Sequence, residues 1–481
     1  MDTQQPVCVI YAGGTIGMVP IHPEVPDSPL VPGTWDQLVG WTPQLDRLGV
    51  PVRAVSVARP VDSSDMSPAG WVEIADLIRT RYDDACGFVV LHGTDTMSYT
   101  ATALSFMLQG LSKPVVVTGS QLPITDPRTD AVQNFVTALT VAAGPQLGLP
   151  SVPEVCLFFR DHLFRGCRTT KVSASSCDAF DSPNYPPLAD AGERIRIHRR
   201  RLRPPGDDFQ VRTQLSPGVI TTRLSPGLDS GVLKAVLNQP EVEGVILETY
   251  GAGNAPTNAE FLDTLRQAIA GGTHIVNVTQ CVSGRVDQGR YQASAGLLEA
   301  GVLSGLDMTT EAAKIKLQIL LGEHRHDTDT VRQRMQTNMV GEQSGNIHTA
   351  LFGAGSVAGT FTSEAVALPV HIEPNSVRVA YLRLFRARHP GALPDQDLLR
   401  AYFDLGPHQG EPGPDSPRYA GRVRRASKSP AQGETLSINV ADALRRGVLE
   451  PARPVRFTLC GQPQAPVEWE RALLHVETSA E

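Results

Sequence analysis

The sequence predicts an α/β protein, a parallel sheet covered by helices on both faces, followed by an all-β, sandwich-like C-terminal region. Three observations predict it. Short β-rich apolar runs alternate with helical patterns through the first third of the chain. The same rhythm resumes after a proline-punctuated stretch, and beyond about Gly359 it gives way to alternating strands separated by Pro/Gly-rich turns.

In order, Val7–Tyr11, Val52–Val57, Gly87–Leu91, Val115–Thr118 and Val155–Phe159 read as buried strands. Apolar residues recur at helical spacing near Ala69–Tyr82, Met97–Leu108 and Arg128–Val141. Strand and helix in alternation imply a parallel sheet with both faces covered. Pro183 to Pro187 and the basic stretch His198 to Pro205 punctuate the chain. After them, Val219–Thr222, Gly244–Thr249 and Thr273–Thr279 read as strands, and Leu228–Leu237, Asn258–Ala270 and Thr310–Leu321 as helices. The tail carries alternating strands at Val366–Ile372, Val377–Phe385, Thr435–Val440, Pro454–Cys460 and Leu473–Glu477. A chain of 481 residues outgrows a single core, so two or three domains are expected. The boundaries read as 1–200, 213–345 and 360–481.

Composition narrows the function classes. Hydrophobic residues at 41% and charged residues at 19% are ordinary globular values, and no apolar run reaches the length of a bilayer span. A net charge of -7 gives no reason to expect nucleic acid, and the basic cluster Arg422 to Arg425 reads as a solvated loop. Seven cysteines, scattered singly, fit reduced thiols better than a disulfide framework. With no basic, apolar leader at the start, the expectation is a cytoplasmic protein without a membrane partner.

In a parallel sheet ligands bind at the carboxyl ends of the strands. Here those ends read YAGGTIGM, DSSDM, LHGTDTM and VVVTGSQ, each supplying hydroxyls, mostly beside glycine. Singly, a Gly-Gly-Thr turn is a strand-to-helix corner, and Thr94 or Asp95 caps the helix near Met97. Together, four such ends describe a crevice for a small polar substrate. Neither G-x-G-x-x-G nor G-x-x-x-x-G-K-S/T follows the first strand, which argues against a dinucleotide or phosphate site. The twelve histidines form no H-x-x-x-H or H-E-x-x-H pattern, so no metal is expected.

YAGGTIGM, then DSSDMSPxxW, VLHGTDTMSYTATALSFML, VTGSQLP, RGCRTTK with DAFDSPNYPPL, YGAGNAP and VTQCVSGRV resemble, in this order, the type I bacterial L-asparaginases. The resemblance runs over roughly residues 5 to 340 and leaves out the tail. It implies an asparaginase-like two-domain fold, the threonines in 1–200, with 360–481 as an accessory domain. It also implies hydrolysis of L-asparagine to L-aspartate and ammonia through a threonine acyl-enzyme, without a cofactor, in a homodimer or homotetramer. Carried over by position, Thr15 attacks the amide carbon, and Thr94, Asp95 and Lys171 form a second catalytic group. A hydroxyl needs a base or a lowered pKa nearby, which Lys171 beside Thr94 would supply with Asp95 orienting it. Asp95 would meet the substrate α-ammonium and Ser63 or Ser64 its α-carboxylate. Gly14, Gly93, Ser120 and Asn254 complete the expected substrate contacts, Asn254 in a neighbouring subunit's site. Backbone N–H groups at the glycine turns are candidate oxyanion donors.

The chain departs from the family pattern in two places. The family carries a tyrosine on a lid after GGTIG, yet no tyrosine lies between Tyr11 and Tyr82. His22, Glu24 and Asp27 are the proton acceptors in that segment, and a larger or modified amide is the alternative substrate. Glu248 stands where allosteric members have an effector-binding arginine, so activation by asparagine is not expected. Cys281, near the same region, is expected to be a buried structural cysteine.

Overall fold

The computed structural model describes residues 4–22, 25, 28–289, 292–357, 360–364, 366, 372–387, 399–403, 416, 418–423, 434–446, 455–461 and 467–479. The chain divides into two compact units. The first is Met1–Gln288, Val302–Val331 and Met339–Glu342; the second is Gly289–Gly301, Arg332–Asn338 and Gln343–Glu481.

The first unit is built on an eight-stranded sheet. Val52–Val61, Val7–Gly13, Gly87–Leu91, Val115–Thr118 and Val155–Phe159 lie side by side in parallel. Alternate residues of these strands enter two different cores. Cys8, Ile10, Phe88, Val90, Val115 and Val117 pack with Trp71, Ile74 and Leu104 of helices Pro68–Arg79 and Met97–Met107. Val7, Val9, Val89, Leu91 and Val116 pack with Phe135, Ala138 and Leu139 of helix Ala131–Ala143. Both faces are apolar because both are covered, as expected.

The sheet is mixed where strand and helix alternation implied a parallel one. His162–Arg165 returns antiparallel after only Arg160 and Asp161, too few residues for a crossover, with Arg160 at φ 57°. Ala189–Ala191 and Ile195–Ile197 extend that antiparallel edge. The third helix begins at Ala131 instead of Arg128 because the Asp130 carboxylate accepts from the backbone N–H groups of Gln121 and Leu122, holding the preceding residues in a turn. A second, four-stranded parallel sheet comprises Val219–Arg223, Gly244–Thr249, His274–Thr279 and Leu303–Ser304. Its helices are capped by the side chains of Asp229, Asn258 and Thr309.

The second unit is a sandwich of two four-stranded antiparallel sheets. Gly345–Phe352, Arg471–Ser479, Val377–Ala387 and Glu434–Asn439 form one; Thr360–Thr362, Phe457–Gly461, Leu399–Phe403 and Tyr419–Val423 form the other. Their inner faces share one core, with Phe352 and Phe457 in edge contact at 4.8 Å. The outer face of the first sheet is also covered, since Arg383, Phe385, His475 and Glu477 are buried. The Arg383 guanidinium packs against Gly289, and Arg471 donates to the carbonyl of Glu299 at the end of helix Gln292–Ala300. Sequence periodicity missed that helix, strand Gly345–Phe352 and helix Thr328–Met335. Arg422 lies on a strand, not in a loop, while Arg424, Arg425 and most of the expected strand Val366–Ile372 fall outside the described residues. All seven cysteines are free, and no described helix is long and apolar enough to cross a membrane.

One buried ion pair closes the first unit. Lys316 Nζ lies 2.6 Å from Glu342 Oε1 with both side chains fully enclosed. The Glu342 carboxylate also accepts from the backbone N–H of Val340 at 2.8 Å. Burial alone would push its carboxyl up, but the Lys316 ammonium and these donors hold it below the usual range. Removing one partner strands the other charge, so Glu342→Leu is expected to destabilise the protein by about 3 to 5 kcal/mol. Lys316→Met added to it should recover most of the loss, read from denaturant unfolding midpoints; a harmless single variant would overturn the account.

Candidate active site

The residues that follow the parallel strands meet because side chains are missing between them. Gly14, at φ 88°, lies so close to the next strand end that a Cβ there would sit 2.2 Å from Gly93 N. A Cβ on Gly93 would sit 2.5 Å from Ser63 Oγ. The turns after Val7–Gly13 and Gly87–Leu91 thus touch backbone to backbone, and the Ser63 side chain closes on the second of them, bringing Thr15, Ser63, Thr94 and Asp95 to one crevice. Thr15 opens a short 3-10 turn to Gly17 and is half-buried. Its hydroxyl makes no hydrogen bond among the described residues.

Lys171 enters this crevice from a different element, the short strand Thr170–Lys171. Its Nζ donates to Thr94 Oγ1 at 2.9 Å and to Asp95 Oδ1 at 2.7 Å. Thr94 Oγ1 in turn donates to Gln121 Oε1 at 3.1 Å, and Gln121 Nε2 donates to the carbonyl of Ser176 at 2.9 Å. The threonine hydroxyl is therefore fixed, its oxygen toward the ammonium and its proton toward the amide. Lys171 is 18% exposed, while Asp95 is 64% exposed and open to a ligand. Gln121 is the site residue that the sequence reading missed; VTGSQ was noted for its hydroxyl, but no spacing rule shows that the amide after it reaches Thr94.

Lys171 is held from the other α/β sheet. Arg168 donates to Asp307 Oδ2 at 3.0 Å and to the Gly341 carbonyl at 2.6 Å, both in buried surroundings. Thr170 Oγ1 donates to Glu311 Oε1 at 2.7 Å. Beneath Thr94, His92 is enclosed. Its Nδ1 lies 2.7 Å from the Gly93 carbonyl, which can only accept, so Nδ1 carries the proton. Nε2 then accepts from Thr100 Oγ1 at 2.8 Å, and Thr100 accepts from Trp71 Nε1 at 3.0 Å. The tryptophan of MSPxxW thus braces the site from behind.

The remaining sequence candidates sort by their contacts. Ser63 Oγ accepts from Asp95 N at 3.2 Å, whereas Ser64 is exposed and its hydroxyl donates to Asp62 Oδ1 at 2.5 Å. The Ser120 hydroxyl is committed to the Leu122 carbonyl at 2.6 Å. Asn254 closes a turn with Tyr250, and its Oδ1 is buried without a partner among the described residues. His22 lies in the exposed turn between Met18–Pro20 and Leu30–Pro32, where Ile21 and Val25 are each 49% exposed; Glu24 and Asp27 lie outside the described residues. Tyr11, the nearest preceding phenol, packs under the Thr15–Gly17 turn, its OH 3.4 Å from the Gly17 carbonyl, and burial pushes it up to about 12. Glu248 is engaged by Arg223 at 2.7 Å and Thr310 at 2.6 Å. Cys281 is exposed, not buried as expected, because the strand His274–Thr279 ends before it and the chain turns at the surface.

Fold and site together define an α/β protein with a threonine, lysine and aspartate constellation at the carboxyl ends of a sheet. Residues 6–203 match the N-terminal asparaginase family profile, and 218–335 match the glutaminase/asparaginase C-terminal domain. The chain belongs to the asparaginase family. L-asparaginase 1 of Escherichia coli K12 is 44% identical over 346 residues, covering 70% of this chain and 97% of that protein. A mouse protein named 60 kDa lysophospholipase is 38% identical over 376 residues, covering 72% of this chain and 63% of its own. The crystal structure of L-asparaginase I from Vibrio cholerae superposes with a TM-score of 0.64 at 40% identity, covering 71% of this chain and 99% of that one.

Burial lowers His92 to about 4 against its ordinary 6.5, the Gly93 carbonyl opposing the shift. Between those pH values only the unfolded chain takes up the proton, so stability falls as pH drops through that window, by up to about 1.4 kcal/mol per pH unit. It levels off below. His348, lowered to about 4 by burial in the second unit, acts in the same direction. Unfolding midpoints measured from pH 7 to pH 4 should show this fall, and His92→Gln should flatten it; a variant with the parent's slope would sink the assignment.

Proposed function

We propose that this chain hydrolyses L-asparagine to L-aspartate and ammonia, with Thr15 as nucleophile. The observation that carries the reading is Lys171 Nζ, 2.9 Å from Thr94 Oγ1 and 2.7 Å from Asp95, beside the Gly14–Gly93 approach that delivers Thr15. Asp95 receives the α-ammonium, and Ser63, whose hydroxyl hydrogen is left to donate, receives the α-carboxylate. The Thr15 hydroxyl oxygen adds to the amide carbon, its proton passes to the leaving nitrogen, and ammonia departs. Water then cleaves the threonyl ester, releasing aspartate and restoring the hydroxyl. Thr94, Lys171 and Gln121 form the proton-handling group: an ammonium paired with Asp95 is a donor, and arrival of the substrate's own ammonium competes for that carboxylate. Backbone N–H groups of the Gly14 and Gly93 turns are the oxyanion donors of this reading.

In this reading 1–200 carries the catalytic threonines, 213–345 is the smaller α/β domain, and 360–481 is an accessory β-sandwich. The working form is a cytoplasmic homodimer or homotetramer, with Asn254 placed at a neighbouring subunit's site by resemblance to the family. Glu248, bound to Arg223 and Thr310, puts a carboxylate where allosteric members have the effector-binding arginine, so activation by asparagine is not expected.

A second reading has one observation in its favour. The segment after the Thr15 turn presents exposed Ile21 and Val25 where the family's phenol is expected, and apolar side chains suit a larger amide, such as an asparaginyl peptide. Ammonia release from L-asparagine, L-glutamine and short asparagine-containing peptides separates the two. The first reading expects release from free asparagine, with Thr15→Ala and Lys171→Met each lowering kcat/KM by roughly 100-fold or more. Release only from peptides would move the function to a specialised deamidase, and no release from any substrate would leave a binding protein on this fold.

A further inference from the structure

A cavity of about 90 Å³ in the first unit, outside the catalytic crevice, is lined among others by Ser105, Gln109, Glu154, Arg165, Arg203 and Val340. Its charged groups are incompletely matched. Arg165 is 94% buried, by its 6% exposure. Its Nε donates to Glu154 Oε2 at 2.6 Å, and its Nη2 to Glu154 Oε1 at 3.4 Å and the Arg201 carbonyl at 2.8 Å. The guanidinium is stacked 4.4 Å from the centre of the Tyr185 ring, which fixes its plane. Three of the five N–H donors of an arginine are thereby used. The two on Nη1 have no hydrogen-bond partner among the described residues. Space beside them is kept by Gly341, at φ 89°, where a Cβ would stand 2.5 Å from Nη1.

Arg203 adds a second guanidinium. Its backbone N–H donates to Glu154 Oε1 at 3.1 Å, and its Nη2 donates to the Met339 carbonyl at 3.1 Å, leaving Nε and Nη1 uncommitted among the described residues. Glu154, the one carboxylate among the described lining residues, already accepts from both arginines. Glu342, next to Gly341, is neutralised by Lys316. The lining therefore holds two cations against one anion. We infer that this cavity binds a small oxyanion, a phosphate or a carboxylate, between Arg165 Nη1 and Arg203. A guanidinium fork suits either oxyanion, and one whose other donors are fixed by Glu154 loses little freedom on binding. A single water needs about 10 to 15 Å³ of such space, so the volume admits an anion of a few heavy atoms. The inference is independent of amide hydrolysis.

The test is calorimetric titration of the full-length protein with inorganic phosphate and, separately, acetate, on the parent, Arg203→Gln and Lys171→Met. Arg203→Gln keeps the backbone N–H that Glu154 needs, so its fold should hold, with the melting temperature as the check. Arg165 is left in place because its loss would strand Glu154. Saturable one-to-one binding of either anion is expected, weakened roughly tenfold or more by Arg203→Gln, the size of one charge-assisted contact. Lys171→Met, altered in the catalytic crevice, should bind as the parent does. Which anion binds distinguishes a phosphate from a carboxylate ligand. Binding of neither anion, equal binding by the parent and Arg203→Gln, or loss of binding in Lys171→Met would each overturn the inference.

Discussion

The site exists because Gly14 and Gly93 put no atom between two strand ends. Parallel strands are spaced by their hydrogen bonds, about 4.8 Å apart, and side chains on the turns that follow would hold those turns apart. Here a Cβ at either glycine would collide with backbone or with Ser63, so the turns settle against each other. The close approach converts three separate strand termini into one surface, on which Thr15, Ser63, Thr94 and Asp95 belong to a single crevice.

The cation in that crevice is positioned from elsewhere. Lys171 sits on a two-residue strand that could not hold its own direction, and its neighbours Arg168 and Thr170 are tied to Asp307 and Glu311 at the end of the second sheet. The smaller α/β region therefore acts on the chemistry without reaching it. The Gly93 carbonyl, by contrast, is held by the His92, Thr100 and Trp71 chain, an uncharged relay whose polar atoms are satisfied in an enclosed place.

Much of this was readable before any coordinates. Gly87–Leu91, Val115–Thr118 and Val155–Phe159 begin and end where their apolar runs do, because a strand buried on both faces has no polar residue until it leaves the sheet. Thr94, Asp95 and Lys171 came from resemblance, and the structure brings the three into contact across a separation of 76 residues along the chain that no local pattern spans. The unreadable parts share a cause. Gln121, the antiparallel return of His162–Arg165 and the burial of His475 and Glu477 depend on what packs against them in space, and no local period encodes that. Cys281 shows the converse error: a residue assigned to the interior by its type lies where the chain has already left the sheet.

The composition of the second unit bears on where the packing of the tail is decided. The β-sandwich incorporates Gly289–Gly301 and Arg332–Asn338, which interrupt the first unit's sequence, and its outer sheet face is covered where Arg383 meets Gly289 and Arg471 meets Glu299. Removing the residues after 342 alone would uncover the segment Gly289–Gly301 on the side where Arg383 and Arg471 meet it. Substitutions at Gly289 and near Glu299 therefore bear on the tail's packing as directly as substitutions in the tail itself.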